Sequence, residues 1–413
     1  MTNWLVFVES NTSGTGRLFA KAAREQGLTP VLLSLDAARY PYVIEDNLLT
    51  VEVDTRDQHS VLAAYRKLAT DGIVAGITSS SEYYIAMAAS IAEQMRLPGP
   101  EPGAIQRCRD KAWQRYQLRK DNIPVPDFYL ASSPIAAGEF AQRIGYPLVV
   151  KPVSGSGSIG VRFCRDREQV LAHATHLLEQ TANERGSAAA AQILIEAYAG
   201  GTEYSVETFG LEVVGITRKY LGALPNFVEM GHDHPAILSA EEREAIERVV
   251  RETLKSLGLG WGPAHTELKL TEKGPVIIEV NPRLAGGFIP ELVRFSCGVD
   301  LIRETIRFVT SKEVSLTKKY QRYSAIRFLL PEEEGIISGI WGMEEAKAVS
   351  GVESVMLYKP NGWMFRPQGD FRDRIGHVLA CGNSPGEALE AVEEAMRKIT
   401  INVGQAPSNF GDQ

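Results

Sequence analysis

At 413 residues the chain is too long for a single hydrophobic core, and roughly one domain per 150 residues predicts two or three. Its 44% hydrophobic and 23% charged residues are the balance of an ordinary soluble globular protein. A net charge of −7, with no basic tract carrying interleaved aromatics, argues against nucleic acid as a partner.

Cys108, Cys164, Cys297 and Cys381 lie far apart, without CxxC or Cys/His ligand spacing, and read as reduced, buried thiols of a cytoplasmic protein. The opening MTNWLVFVES is too short for the apolar core of a signal peptide or for a membrane span.

Over the first hundred residues strands and helices alternate. Trp4–Val8 is an apolar run, Gly16–Gln26 has helical spacing, and Pro30–Leu35 is a second run ending at Asp36. Leu48–Val53, Ile73–Ile77 and the helix-like Tyr83–Met95 continue the pattern. This predicts a parallel sheet with helices on both faces, a Rossmann-like unit over residues 1–103 closed by the breakers of Pro98–Gly103. Glu9 to Gly16, with Asp36 twenty residues on, comes close to a dinucleotide fingerprint. Phe19 stands where the third glycine belongs, which weakens that reading.

A single helix is predicted from Ala104 to about Asp121. Tyr146–Lys151 is a strand cut off by Pro152, followed by a Gly/Ser loop and an amphipathic helix near Glu168–Thr181. The small-residue stretch Gly186–Ala191 precedes strands at Ile193–Glu196, Tyr204–Phe209 and Val213–Tyr220. His232 and His234 are placed in a loop with Glu229 and Asp233, spaced poorly for zinc. A helix over Ala240–Leu257 leads to a hairpin. Beyond about residue 312, strands at Tyr323–Leu329, Gly335–Ile340, Val355–Tyr358 and His377–Ala380 and a helix over Glu387–Lys398 predict a smaller α+β unit over 313–413. Residues Gly404–Gln413 are expected to fray.

The hairpin WGPAHTELKLTEKGPVIIEVNPRLAGGFIP carries the strongest signal. Side chains two apart on a strand share a face, so Glu279, Asn281 and Arg283 converge, with Glu267 within reach on the neighbouring strand. Two carboxylates and an amide oxygen are hard ligands of the kind Mg²⁺ takes when phosphates complete its shell. Arginine beside them offers a planar fork for carboxylate or phosphate oxygens. The second signal is Lys151 at a strand end, leading into Ser154, Gly155, Ser156, Gly157, Ser158 and Gly160. Small residues let backbone N–H groups approach phosphate closely, although no Gly-Lys-Ser/Thr closes the loop as a Walker A sequence would.

Lys111, Lys151 with its loop, Ile195-Glu196, Glu203, Glu267 and Glu279-x-Asn281-x-Arg283 together resemble the ATP-grasp superfamily in order and spacing, over roughly residues 1 to 310. Phe227 to Pro235 and the Asn281 to Pro290 stretch resemble its L-amino-acid ligases, the dipeptide-forming group that includes bacilysin-type and dapdiamide-antibiotic synthases. The resemblance implies an α/β and α+β fold: a pre-ATP-grasp unit at 1–103, an ATP-grasp region at 104–312 with a lid subdomain about 146–210, and a C-terminal unit at 313–413.

It further implies a cytoplasmic ligase with ATP and Mg²⁺ as cofactors (Mn²⁺ an accepted substitute), two small-molecule substrates as partners, and a homodimer. By the same resemblance Lys111, Lys151 and the Ser154–Gly160 loop meet the phosphates. Glu196, Ala197, Tyr198 and Ala199 form the hinge that reads adenine, and Glu203 holds the ribose. Glu267, Glu279 and Asn281 bind Mg²⁺. Arg283, Gly286 and Gly287 hold the substrate carboxylate and acyl-phosphate, His232 contacts the transferring phosphate, and Ser13–Gly16 and Ser79–Glu82 receive the second substrate.

Overall fold

The computed structural model describes residues 1–12, 15–182 and 190–404. Ser13 and Gly14, most of the Gly186–Ala191 stretch and all of Gly404–Gln413 except Gly404 lie outside the described residues.

Apolar runs separated by helices build the first sheet. Strands β1 (Thr2–Val8), β2 (Thr29–Ser34), β3 (Leu49–Glu52) and β4 (Gly72–Thr78) pair in parallel in the order β3-β2-β1-β4. Helices α1 (Gly16–Glu25), α2 (Tyr42–Glu45), α3 (Gln58–Asp71) and α4 (Ile85–Gln94) connect and flank them. Helix α3 is absent from the sequence reading because it buries little, chiefly Val61, Tyr65 and Leu68. Its start is nonetheless written in Asp57, whose carboxylate accepts from the backbone of His59 and Ser60. Phe19 packs on Phe7, filling the place that the third glycine of a dinucleotide fingerprint would leave open, and Asp36 caps a short 3₁₀ turn.

The single helix expected over 104–121 is two, α5 (Pro102–Cys108) and α6 (Lys111–Lys120). Asp110 causes the break: its side chain accepts from the amides of Ala112 and Trp113 and so restarts the chain as a new helix. Lys111 therefore stands in the first turn of α6. Beyond it come β5 (Phe128–Ala131), α7 (Pro134–Ile144), β6 (Leu148–Pro152), β7 (Arg162–Cys164), α8 (Arg167–Leu178) and β8 (Ile193–Ala197). These strands form an antiparallel sheet, β5-β8-β6-β7, whose core includes Ala137, Leu148, Val170, Ala174 and Ile195. The sequence reading lacked β5, α7 and β7.

The central sheet follows. Its strands β9 (Thr202–Phe209), β10 (Glu212–Leu221) and β11 (Glu229–His234) precede helix α9 (Ala240–Ser256). Then come β12 (Pro263–Thr271), β13 (Gly274–Asn281), α10 (Ile289–Cys297) and α11 (Leu301–Val309). His232 and His234 thus lie on a strand, β11, and not in a loop. The last segment supplies β14 (Tyr323–Leu329), β15 (Gly335–Trp341), α12 (Met343–Lys347), β16 (Val352–Leu357), β17 (Met364–Phe365), β18 (Gly376–Gly382), α13 (Pro385–Lys398) and β19 (Thr400–Gly404).

Three of those late strands do not stand apart. The central sheet runs β13-β12-β9-β10-β11-β14-β18-β16, so the C-terminal segment extends it through β11 and β14. A small sheet, β17-β15-β19, packs beside it. Among the described residues no helix is long and apolar enough to cross a membrane.

The central sheet has one apolar side. Tyr204, Val206, Ile216, Leu268, Ile277 and Val280 pack with Ile246, Val250 and Leu254 of α9. Helix α9 is started by a capping box, with Ser239 and Glu242 each satisfying the other's backbone amide. Leu268 is fully buried between sheet and helix. Leu268→Ala should cost about 2–5 kcal/mol in urea unfolding, the scale for deleting a buried leucine side chain. A loss below about 1 kcal/mol would mean that this layer is not a close-packed core.

Candidate active site

Strand register decides which side chains share the other side of the sheet. Lys219 stands opposite Glu203 and His232, Glu203 opposite Lys269, Glu207 opposite His265, and Glu267 opposite Ser205 and Glu279. From this polar side Glu203, His265, Glu267, Lys269, Glu279 and Asn281 line a cavity of about 800 Å³. Its other walls are the Gly/Ser loop, the end of β8, the start of α6, and residues from both terminal segments. A cleft of this size with convergent polar groups suits a small-molecule site.

Buried charges on the floor are paired. The Lys219 ammonium lies 2.6 Å from Glu267, 2.7 Å from Glu229 and 3.1 Å from Glu203, so one cation serves carboxylates on three strands. Burial alone would lower the Lys219 pKa, but the three carboxylates hold it well above its usual value. Burial likewise pushes Glu267 up, and Lys219 with His265 outweighs it, leaving Glu267 below the ordinary carboxylate range. Glu203 also meets Lys269 at 3.1 Å. His265 is held by Glu207 at 2.7 Å and reaches Glu267 at 3.2 Å; burial opposes its charge, but the carboxylates raise it to about 9.

Glu279 lies 3.2 Å from Lys111, and the Asn281 amide, turned so that its nitrogen faces the carboxylates, donates to Glu279 and Glu82 at 3.2 Å each. Glu267 and Glu279 are direct cross-strand partners, with Asn281 two residues beyond Glu279. Among the described residues no group of three or more His, Cys, Asp or Glu side chains is disposed to hold a metal unaided. Two carboxylates and an amide suit Mg²⁺ whose remaining positions go to phosphate and water. Both bonds to Glu267 fall on Oε1, which leaves Oε2 for such an ion.

At the end of β8 Lys151 and Glu196 are 2.5 Å apart, and Arg115 bonds the same carboxylate at 2.5 Å. Burial works against the Glu196 anion, but Arg115 and Lys151 together keep its pKa below normal. The carboxylate is thereby sealed inward, while Ala197, Tyr198 and Ala199 continue along the cavity wall. Lys111 donates to the carbonyl of Gly155 at 2.7 Å, tying α6 to the Gly/Ser loop. Ser154, Gly155, Ser156, Gly157 and Ser158 line the cavity, whereas Gly160 packs against Pro152 and Leu177 and does not. Gly157 has φ +64° and lies against the Phe371 ring, which leaves no room for a side chain.

Arg283 is drawn toward the amino-terminal sheet. Its guanidinium bonds Glu82 at 2.5 Å and the carbonyl of Leu284 at 2.9 Å while still facing the cavity beside Gly286 and Gly287. His232 departs from expectation. Its ring is fully buried, its two nitrogens have no hydrogen-bond partner among the described residues, and it does not line the cavity. Gly287 covers it: a Cβ there would stand 2.8 Å from Nε2. Burial pushes His232 down to about 3, so the imidazole is neutral beneath the loop.

The sequence reading missed Arg115, Lys219, Lys269 and Arg374. Lys219 and Lys269 had a visible signal, a lysine inside a strand-like run, which is costly unless paired. Arg115 lies one helical turn after Lys111, a spacing that shares a face. Arg374, whose guanidinium pairs with Glu229 and lies 4.1 Å over the Phe328 ring, had none.

Two outcomes test this electrostatics. Glu196→Ala leaves Arg115 and Lys151 buried beside each other without their anion, and should cost about 3–5 kcal/mol in urea unfolding; a neutral result would mean that water reaches the pair. His234 is buried against Thr217 and pushed down to about 3 by burial, so the fold favours its neutral form. That contribution is complete above about pH 6.5 and is lost as pH falls toward 3. The pH dependence of stability across that range should be shallower in His234→Gln than in the wild type. Parallel curves would show that His234 keeps an ordinary pKa.

Residues 144–291 match the model of the ATP-grasp domain, and residues 327–404 match L-amino acid ligase C-terminal domain 2. The uncharacterized protein y4rH of Sinorhizobium fredii is 37% identical over 403 residues, covering 98% of this chain and 84% of that protein. Carnosine synthase 1 of Gallus gallus is 24% identical; the match covers 94% of this chain but only 44% of that larger protein. The crystal structure of L-amino acid ligase from Bacillus licheniformis superposes with a TM-score of 0.83 at 23% identity, covering 98% of this chain and 99% of that one. That likeness shows a shared fold. The chain belongs to the ATP-grasp family, among the ATP-dependent carboxylate–amine ligases of L-amino acid ligase type.

Proposed function

We propose that the chain joins the carboxylate of an amino acid or acylated amino acid to the amine of a second amino acid through an acyl-phosphate. The observation that carries this reading is the convergence on one cavity of the Glu267–Glu279–Asn281 set, Arg283, Lys151, the Gly/Ser loop and Glu203. The names of two relatives, carnosine synthase and an L-arginine-specific L-amino acid ligase of Bacillus subtilis, favour amino-acid substrates. A dipeptide-antibiotic pathway is one setting for such a product.

In the proposed sequence a carboxylate oxygen attacks the γ-phosphorus, the bond to the β–γ bridging oxygen breaks, and ADP leaves. The amine nitrogen then attacks the acyl carbon, the bond to the phosphate oxygen breaks, and phosphate departs as the nitrogen loses its proton. Phosphorylation makes this possible because phosphate leaves where oxide cannot. Magnesium held by Glu267, Glu279 and Asn281 would supply Lewis-acid neutralisation of the phosphate charge. Lys111 and Lys151 would exchange Glu279 and Glu196 for phosphate oxygens, and Arg283 would turn from Glu82 to the acyl-phosphate. The Gly/Ser loop would exclude the water that hydrolyses such intermediates.

Product analysis tests the reaction class. Incubation with amino-acid pairs should give amide, ADP and phosphate in equal amounts; AMP and pyrophosphate in place of ADP would reject the acyl-phosphate route. Arg283→Lys should lower amide formation by about 10²-fold or more, because an ammonium cannot reproduce the guanidinium fork, while nucleotide affinity stays near wild type. Parallel loss of both would assign Arg283 to the nucleotide or to the contact with Glu82.

A further inference from the structure

Behind Glu267 lies a set of buried polar side chains that no step above uses. Glu207 is fully buried, and among the described residues only one of its oxygens has a hydrogen-bond partner, the Nδ1 of His265 at 2.7 Å. The far nitrogen of the same ring meets Glu267 Oε1 at 3.2 Å. Lys219, itself buried, meets that same Oε1 at 2.6 Å. Two donors from different strands thus converge on one oxygen of the carboxylate. No hydrogen bond among the described residues reaches the other, and Glu267 lines the cavity.

A carboxylate buried with one oxygen unpartnered is a poor choice for stability alone, since an apolar side chain fills the same space without that cost. Its position does suit a second task. Carboxylate–histidine pairs behind a ligand fix its orientation and sharpen the affinity of the site.

We infer that Glu207, His265 and Lys219 are positioning residues for the magnesium-binding carboxylate: they grip Oε1 of Glu267 and present Oε2 to the ion. The inference rests on the proposed function through the assignment of Glu267 to Mg²⁺. Register makes the device possible, because His265 and Glu267 are two apart on β12 and Glu207 stands directly opposite His265 on β9. Lys219 adds a second link, since it also holds Glu203 and Glu229 and so ties the metal carboxylate to carboxylates on two further strands.

The test uses the full chain and Mg²⁺ itself. Two quantities are measured: the magnesium concentration giving half-maximal phosphate release, and ADP affinity in EDTA by calorimetry. His265→Phe keeps a ring of similar volume but removes both bonds. It should raise the magnesium half-saturation by about 10- to 100-fold, as losing a supporting hydrogen bond behind a ligand does, and leave ADP affinity in EDTA unchanged. Glu207→Gln keeps the volume and an acceptor for Nδ1 but removes the charge, and should give a smaller rise. It also carries the test if His265→Phe does not fold.

An unchanged half-saturation in either folded variant overturns the inference. So does an equal fall in EDTA affinity, which would mark a structural role. Glu267→Gln is the control that separates the two claims. If it leaves the magnesium dependence untouched, the metal assignment itself fails; if it alone shifts that dependence, only the positioning role falls.

Discussion

The structure depends on one constraint: a single sheet must be apolar on one side and ionic on the other, with both sides covered. Residues on β9, β10, β12 and β13 alternate strictly enough that Val206, Ile216, Leu268 and Val280 meet α9, while Glu203, Lys219, Glu267 and Glu279 face the cavity side. The helix stabilises the sheet through buried apolar area. The ionic side contributes little to net stability, because desolvation consumes most of what the ion pairs return. It is maintained only because each charge has a partner, and the sharing of Lys219 among three carboxylates is the densest case.

Such a floor is poised for ligand exchange. Lys111, Lys151 and Arg283 are each held by a carboxylate at 3.2 Å or closer, namely Glu279, Glu196 and Glu82. Under the proposed function, a phosphate or carboxylate entering the cavity would replace one anion by another, and the cations would already be dehydrated and oriented when it arrives. That is the condition under which electrostatic stabilisation is largest, since little reorganisation remains.

The cavity is also a joint product of distant segments. Glu82, just beyond β4 of the first sheet, reaches Arg283, and Arg374, just before β18 of the last segment, reaches Glu229. Phe371 lies against Gly157 of the Gly/Ser loop, with its amide directed at the Gly157 carbonyl. The C-terminal strands join the central sheet edge to edge through β14, which sets Arg374 and Phe371 at a fixed distance from the floor.

By itself the sequence determined the alternation, the hairpin with Glu267, Glu279 and Asn281, the lysine before the Gly/Ser loop, and the helix carrying Ala388, Val392 and Ala395. These signals are local: a period of two or 3.6, a proline, a glycine pair. Asp110 shows the limit of that reading, for a single capping carboxylate split a helix that periodicity joined. Only the tertiary structure decided which charges meet. Nothing local says that Lys219 serves three carboxylates, that Arg115 seals Glu196, or that Gly287 lies over His232. Strand order and register between residues far apart in sequence fix those contacts. They are set by the packing of whole elements, and an ion pair spanning eighty positions leaves no mark on either neighbourhood.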